Sequence, residues 1–216
     1  MRTILALLLC LSITASLAQT YPYTFVFLTL HNDRPELPKE ELDKIMEGHL
    51  GNIQRLAMEG KLLVAGPFDG GGGIYIFDSP SSDSVRHWIS TDPGVVADRW
   101  KIEMFAYQPR VGSVCVVDPD AELVNYTFIR YITTITKFNV HQADVTFDTH
   151  DEYLRKITKT GNVVTEGIFA NRDGGILIMK GSVDKELIES DPSMKDTIFR
   201  IEHKKVWLGK GSFCEK

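Results

Sequence analysis

Two histidines and two aspartates recur at matched positions in this chain and could carry out acid–base chemistry. His49 returns as His150, 101 residues later, and Asp92 of an Asp-Pro pair returns as Asp191, 99 residues later. A carboxylate that contacts an imidazole fixes its tautomer and raises its basicity, which gives a proton donor or acceptor near neutral pH. We therefore predict that these four side chains are catalytic residues.

A structural role for the same residues stays open. His49 lies on the apolar face of a predicted helix, four residues from Ile45 and four from Ile53. A buried imidazole must find a partner for each ring nitrogen or lose about 1 to 3 kcal/mol for each unmet group. The His-Asp pairs could then be clasps between two helices, with Asp92-Pro93 merely ending the second helix, because a residue before proline avoids the α region. Recurrence does not decide, since duplication copies structural and functional residues alike.

The histidines belong to a longer repeat that predicts two modules. The segment HLGNIQRLAMEGKLLVAGPF returns as HDEYLRKITKTGNVVTEGIF, and the opening YTFVFL returns as YTFIRY. Each copy is expected to fold in the order βαββαβ, which is the ferredoxin-like plan. We place module 1 at residues 21–110, a linker at 111–124, and a more divergent module 2 at 125–213.

Both faces of the predicted sheets need to be covered. The strands FVFL at 25–28 and IYIF at 74–77 are apolar on both sides, which indicates that both faces are buried. The helices of a ferredoxin-like unit cover only one face of its sheet. We therefore expect the second module to cover the other face, which makes an α+β pseudo-dimer of two sheets from one chain.

A glycine-rich turn follows the third predicted element, in the segment GPFDGGGG at 66–73. Such turns let backbone amides approach a small ligand closely, so we predict Gly66, Pro67 and Phe68 as substrate-binding residues. A flexible hairpin is the alternative. Asn32, Asp33 and Arg34, in the loop after the first strand, could line the same opening or form a solvated loop.

The first copy resembles the YCII-related domain family. The resemblance rests on five features in order: a His in the first helix, a Gly-Lys-Leu strand start, a Gly-Pro-Phe turn, a Gly-Ile strand, and an Asp-Pro before the last strand. It covers about residues 23–107. The second copy keeps His150, Gly167 and Asp191-Pro192, but Ile168 replaces Pro67.

The resemblance implies a dimeric α+β barrel, which is normally made by two chains, and an active site built on His49 and Asp92. Related barrels are associated with lyase- or isomerase-like proton transfer on small, often cyclic molecules. The expected fold class is thus α+β, with two ferredoxin-like βαββαβ modules packed as an intrachain pseudo-dimeric α+β barrel. We expect a monomer that is itself a pseudo-dimer, or a homo-oligomer.

These observations predict an exported small-molecule enzyme that uses His-Asp general acid/base chemistry and needs no cofactor or metal. The alternative is a non-catalytic module that binds a small ligand or a protein, with structural His-Asp pairs. The formal net charge is −5 and basic residues are not clustered, which argues against nucleic acid and anionic membranes as partners. We expect a small organic molecule as the partner.

Residues 1–18 are typical of a signal peptide, with Arg2, an apolar run and a small-residue segment that ends at Ala18. We therefore expect a periplasmic or extracellular protein with no membrane contact after cleavage. Cleavage would remove Cys10 and leave Cys115 and Cys214 at matching positions in the two copies. In an oxidising compartment these could form a disulfide, or they could be two unpaired thiols.

Overall fold

The structure is a computed structural model that describes residues 20–118, 120–134, 143–183, 185–195 and 198–214. The predicted signal peptide, residues 1–18, lies outside the described residues. Within the described ranges, no helix has both the length and the apolar character that a membrane crossing requires.

The first half of the chain folds in the predicted order, with one additional short helix. Glu59 and then Gly60, at a φ of 68°, end the first helix, and the Ser81 side chain caps the second by accepting a hydrogen bond from Ser84 N. The elements are β1 Tyr23–Leu30, α1 Lys39–Met58, β2 Leu62–Pro67, β3 Gly73–Phe77, α2 Ser82–Ile89, α3 Pro93–Val96 and β4 Trp100–Val111.

The second half repeats this order and adds two short strands. One precedes the repeat, and the other ends it. The elements are β5 Ser113–Val114, β6 Leu123–Thr133, α4 Ala143–Thr158, β7 Val163–Phe169, β8 Gly174–Lys180, α5 Lys185–Glu189, α6 Pro192–Lys195, β9 Phe199–Gly209 and β10 Phe213–Cys214.

Eight strands form one antiparallel sheet in the order β2-β3-β1-β4-β7-β8-β6-β9. The halves join because β4 continues to Val111, so that Tyr107 pairs with Phe169 and Pro109 with Gly167. At the other edge, Phe68 forms a bridge with Val206, which brings the end of β2 to β9. The α+β pseudo-dimeric barrel is therefore confirmed, but its two sheets are joined into one rather than separate.

Alternation along each strand fills both sides of this sheet. Phe25 and Phe27 are buried in the barrel interior, where the Phe25 ring centroid lies 6.5 Å from that of Phe128 in the second half. Val26 and Leu28 instead pack in a cluster with residues of α1 and α2. The expectation that both faces are buried is confirmed.

The predicted linker, residues 111–124, contains regular structure. Its first residue ends β4, and its last two residues begin β6. Between them, β5 pairs with β10, with Val114 opposite Phe213. A disulfide joins Cys115 to Cys214, with their Cα atoms 5.8 Å apart. The tails of the two halves are therefore tied both by backbone pairing and covalently.

Candidate functional site

The first helix and the short helix α3 bring His49 and Asp92 together. The His49 Nδ1 lies 2.9 Å from Asp92 Oδ2 and 3.0 Å from Oδ1. Both side chains are buried, with 9% of His49 and 2% of Asp92 exposed. The contact expected between these two residues is present.

Asp92 also begins helix α3, which the sequence pattern did not predict. Its Oδ1 accepts hydrogen bonds from Gly94 N at 2.9 Å and Val95 N at 3.3 Å, and Pro93 is the first helical residue. The expectation that Asp92-Pro93 merely ends the second helix is wrong. The extended backbone that proline imposes on Asp92 is also the backbone of an N-cap, and proline is favoured at the first helical position.

The other ring nitrogen of His49 contacts a tyrosine. Tyr75 Oη lies 3.2 Å from His49 Nε2. Because the Asp92 carboxylate can only accept, the network assigns the proton to Nδ1, so that Nε2 accepts from the Tyr75 hydroxyl. Burial, and secondarily the Asp92 charge, raise the pKa of Tyr75 well above its usual value. The phenol therefore remains a hydrogen-bond donor at neutral pH.

Two glycines allow α1, α3 and β4 to pack closely around His49. Trp100, at the start of β4, packs against the imidazole with the ring centroids 4.4 Å apart. A Cβ at Gly94 would overlap the Trp100 ring, and a Cβ at Gly48 would lie 2.7 Å from Pro93 Cγ. The close approach of α1, α3 and β4 around His49 therefore requires glycine at both positions.

A cavity of about 480 Å³ opens beside His49. Its wall is mainly apolar, with residues of α1, β1 and β3, and it also includes Arg34 and Arg99. Gly66 and Pro67, which the sequence predicts as substrate-binding residues, line this cavity. Phe68 does not, because strand alternation places its side chain in the barrel interior, 5.1 Å from the Phe128 ring by centroids.

The second pair has the same core contact. The His150 Nδ1 lies 2.6 Å from Asp191 Oδ2, and Asp191 Oδ1 accepts from the backbone N and the hydroxyl of Ser193. The His150 ring packs against Phe199, at 4.5 Å between centroids, and against Tyr131, at 4.7 Å. All four predicted catalytic residues are therefore placed in two separate imidazole–carboxylate pairs.

The cavity beside His150 is smaller and charged. Its volume is about 270 Å³. Arg110 forms a two-pronged ion pair with the buried Glu166, at 2.7 Å for the shortest contact, and also contacts Asp151 at 2.8 Å. Ala65 and Pro67 line the first cavity, whereas Glu166 and Ile168 line the second.

Sequence reasoning missed four residues around His49. Asn52 donates to Asp92 Oδ2 at 2.9 Å and lies three residues after His49, a spacing that places it on the same helix face. Tyr75 and Trp100 were missed because aromatic residues are common in strands, so neither residue stands out in the sequence. Nothing in the sequence pointed to Arg99. Among the described residues, no group of three or more His, Cys, Asp or Glu side chains could hold a metal ion.

Comparisons with known proteins agree with this architecture. The sequence profile of the YCII-related domain matches residues 25–103. No curated protein sequence is significantly similar to the chain. An anthrone oxidase-like protein of known structure superposes with a TM-score of 0.50 at 7% identity, covering 87% of this chain and 91% of that one.

Two proposed monooxygenases of known structure also align. The protein from Lactobacillus acidophilus has 11% identity and a TM-score of 0.43, over 89% of this chain and 95% of its own. The protein from Fusobacterium nucleatum has 8% identity and a TM-score of 0.46, over 90% and 94%. At 7% identity, the match to the anthrone oxidase-like protein bears on the fold alone. The profile match shows that residues 25–103 are similar to the YCII-related domain.

Proposed function

We propose that the first cavity is the active site of a small-molecule enzyme, in which His49 transfers protons and Asp92 holds it in place. One observation carries this proposal. An imidazole whose Nδ1 is held by a buried carboxylate lies in the wall of a cavity of about 480 Å³ that is lined mainly by apolar groups. Such a cavity suits a small organic molecule.

The proposed chemistry is proton transfer at a carbon next to a carbonyl group. His49 Nε2 takes the proton, and the electron pair of the C–H bond moves to the carbonyl oxygen. The Tyr75 hydroxyl turns from Nε2 to this oxygen and donates a hydrogen bond to the developing charge. The imidazolium then returns the proton to a second carbon, which gives an isomer. If the electron pair instead expels a leaving group, the same step is an elimination of the lyase type.

Trp100 and the apolar wall support this chemistry by limiting water around the imidazole. In a dry site, the attraction between the Asp92 carboxylate and an imidazolium is stronger than in water. Asp92 is also held by Asn52 and by the α3 amides, so its position does not depend on His49. In this proposal, the His49–Asp92 contact is already formed before substrate binds, so the base needs no reorientation during the reaction.

We assign the proton-transfer chemistry to the first His-Asp pair rather than to the second. His150 and Asp191 make the same contact, but Leu177 occupies the strand position that Tyr75 occupies in the first half, opposite Ile129 as Tyr75 is opposite Val26. The second cavity is also crossed by ion pairs. We therefore propose His150 and Asp191 as a second site with altered chemistry, or as a structural pair.

Export and assembly are part of the same proposal. The leader-like residues 1–18 and the Cys115–Cys214 disulfide both support a periplasmic or extracellular location. Because one chain supplies both halves of the barrel, a monomer can form the site without a partner chain.

A second candidate function is a non-catalytic module that binds a small ligand or a protein. One observation favours it: both ring nitrogens of His49 already have partners within the protein, Asp92 and Tyr75. In that case the pair joins α1 to α3 and contributes to stability only.

The test is hydrogen exchange at carbon in heavy water. The mature protein is incubated with a panel of small cyclic ketones and lactones, each with and without a carboxylate group, and deuterium incorporation is followed by mass spectrometry. We expect the wild-type protein to incorporate deuterium into at least one compound of the panel. His49→Gln should lose this activity without a change in melting temperature, and His150→Gln should keep the activity. No incorporation by the wild-type protein, or equal rates in His49→Gln, would overturn it, and a His49→Gln variant that simply unfolds favours the structural clasp.

A further inference from the structure

The first cavity contains a buried arginine that is not paired with an acid. Arg99 has only 9% of its surface exposed and lines the cavity. Its Nη1 donates to the carbonyl oxygen of Pro35 at 2.7 Å. Among the described residues, no carboxylate lies within ion-pair distance of its guanidinium.

A second guanidinium lies in the same wall. Arg34 Nη1 donates to the carbonyl oxygen of His31 at 2.7 Å, so a backbone group holds this side chain as well. Within the described part of the chain, no aspartate or glutamate lines this cavity. Its lining therefore combines an apolar surface with two fixed positive charges.

The fold itself does not require a cation at this place, because the second half of the chain has isoleucine there. Arg99 N donates to Gly94 O at 3.0 Å, and Ile198 N makes the equivalent bond to Ser193 O at 3.3 Å. Each residue directly precedes the aromatic residue that packs on the local histidine. Ile198 is 1% exposed, so an apolar side chain fills the position without loss of the architecture.

The arginines of the second cavity differ in having acidic partners. Arg110 pairs with Glu166 and Asp151, and Arg172 pairs with Asp144. Burying a guanidinium without a counter-charge lowers the stability of the fold. An arginine without an acidic partner in an apolar wall therefore indicates a functional role. An anionic group on the ligand would supply the missing partner.

We propose that Arg99, assisted by Arg34, binds the carboxylate of a small apolar organic acid in the first cavity. The inference rests on the proposed function for the location of the substrate and adds its chemical class: an aromatic or alicyclic monocarboxylate. The guanidinium fork matches the two oxygens of a carboxylate. Trp100, which directly follows Arg99, and the apolar wall contact the hydrocarbon body, and His49 faces the reacting carbon.

Two matched probes test this inference, 2-naphthoate and its neutral analogue 2-naphthamide. Binding to the mature protein is measured by calorimetry and by the fluorescence of Trp100, with Trp100→Phe as the signal control because Phe199 occupies the equivalent place. We expect 2-naphthoate to bind about 10 to 100 times more tightly than the amide, as expected for one charge-assisted hydrogen-bonding site. Equal affinities, or no binding of 2-naphthoate, would overturn the proposal.

The decisive variant is Arg99→Ile, which copies the residue of the second half. It should bind the two probes equally, while Arg99→Lys keeps a reduced preference for the acid and Arg172→Ala, in the second cavity, keeps the full preference. A full preference in Arg99→Ile would overturn the assignment. If Arg99→Ile does not fold, the wild-type preference and the Arg99→Lys result decide. Because these assays need no turnover, a preference for the acid without carbon exchange would leave the anion site standing and remove the catalytic proposal.

Discussion

Asp92 holds the imidazole of His49 and caps helix α3 with the same carboxylate. The position of the proposed base is therefore coupled to the start of α3, which precedes Trp100 in the chain. This coupling allows changes at the carboxylate, at α3 and at the cavity wall to be separated experimentally.

The Asp92→Asn variant should remain folded but lose its proton-transfer activity. Its amide oxygen can still accept from Gly94 N, but its amide nitrogen would face His49 Nδ1 and force the proton onto Nε2. We expect the free energy of unfolding to fall by about 1 to 3 kcal/mol and carbon exchange to fall to background. Urea unfolding and the heavy-water assay measure the two effects. Asp191→Asn is the matched control and should keep the exchange activity, and an active Asp92→Asn variant would contradict the proposed role of the carboxylate.

Two glycine substitutions in neighbouring elements should have opposite effects on stability. Gly94→Ala places a methyl group against the Trp100 ring, and we expect a loss of about 1 to 3 kcal/mol from overpacking. Gly51→Ala, in α1, meets no atom within 4 Å and should stabilise the helix by about 0.5 to 1 kcal/mol. Thermal and urea unfolding of the two variants provide the measurement. Equal effects would show that the contact between α3 and β4 is not tight.

The disulfide should contribute a large part of the stability. It links cysteines 99 residues apart, and the chain-entropy model assigns up to about 4.7 kcal/mol to a loop of this length. The double variant Cys115→Ser with Cys214→Ser should unfold at clearly lower urea concentration than the oxidised protein. Ligand binding at the first cavity should be unchanged, since neither cysteine lines it. An unchanged unfolding midpoint would show that pairing of β5 with β10 is sufficient.

Tyr75 should make the protein less stable at alkaline pH. Burial raises its pKa in the folded state, whereas an unfolded tyrosine ionises near pH 10. Above that pH the folded state binds more protons than the unfolded state, so the free energy of unfolding falls as pH rises. The stabilisation that comes from the raised pKa of Tyr75 is fully present below about pH 10 and is lost as the pH rises above it.

The measurement is urea unfolding between about pH 9 and pH 11. Tyr75→Phe should remove up to about 1.4 kcal/mol per pH unit from the alkaline slope. Tyr131→Phe should act in the same direction, because burial also raises the pKa of Tyr131. Tyr131 Oη has no hydrogen-bond partner among the described residues, so Tyr131→Phe should not weaken the protein at neutral pH. Identical alkaline slopes for Tyr75→Phe and wild type would contradict the burial of the phenol.

The fold was predictable because it follows from the apolar patterns of the strands and from the repeat in the sequence. Two-sided apolar strands such as FVFL at 25–28 indicated burial of both faces, and the repeat supplied the second half of the barrel. The joining of the two sheets was not predictable in the same way. It depends on β4 continuing past Tyr107, so that Tyr107 pairs with Phe169 and Pro109 pairs with Gly167. The sequence around Pro109 is typical of the end of a strand, so the extension was not expected.

The candidate site was predictable only in part. His49 and Asp92 were found because they recur with their neighbours, and each recurrence can be seen in one sequence. Tyr75 and Arg99 are not repeated, since Leu177 and Ile198 stand in their places, so no internal comparison singled them out. Phe68 was misplaced because residues of a turn were grouped together, whereas alternation sends neighbouring side chains to opposite faces of the barrel wall.

The most direct test of the central claim, that His49 presents an unprotonated Nε2 to the first cavity, is nitrogen-15 NMR of histidine-labelled protein at mildly alkaline pH. His49→Gln assigns the resonances. The structure predicts a proton on Nδ1, none on Nε2, and a shift of the Nε2 signal on addition of 2-naphthoate, with no change at His150. A proton on Nε2, with Nδ1 bare against Asp92, would contradict the account.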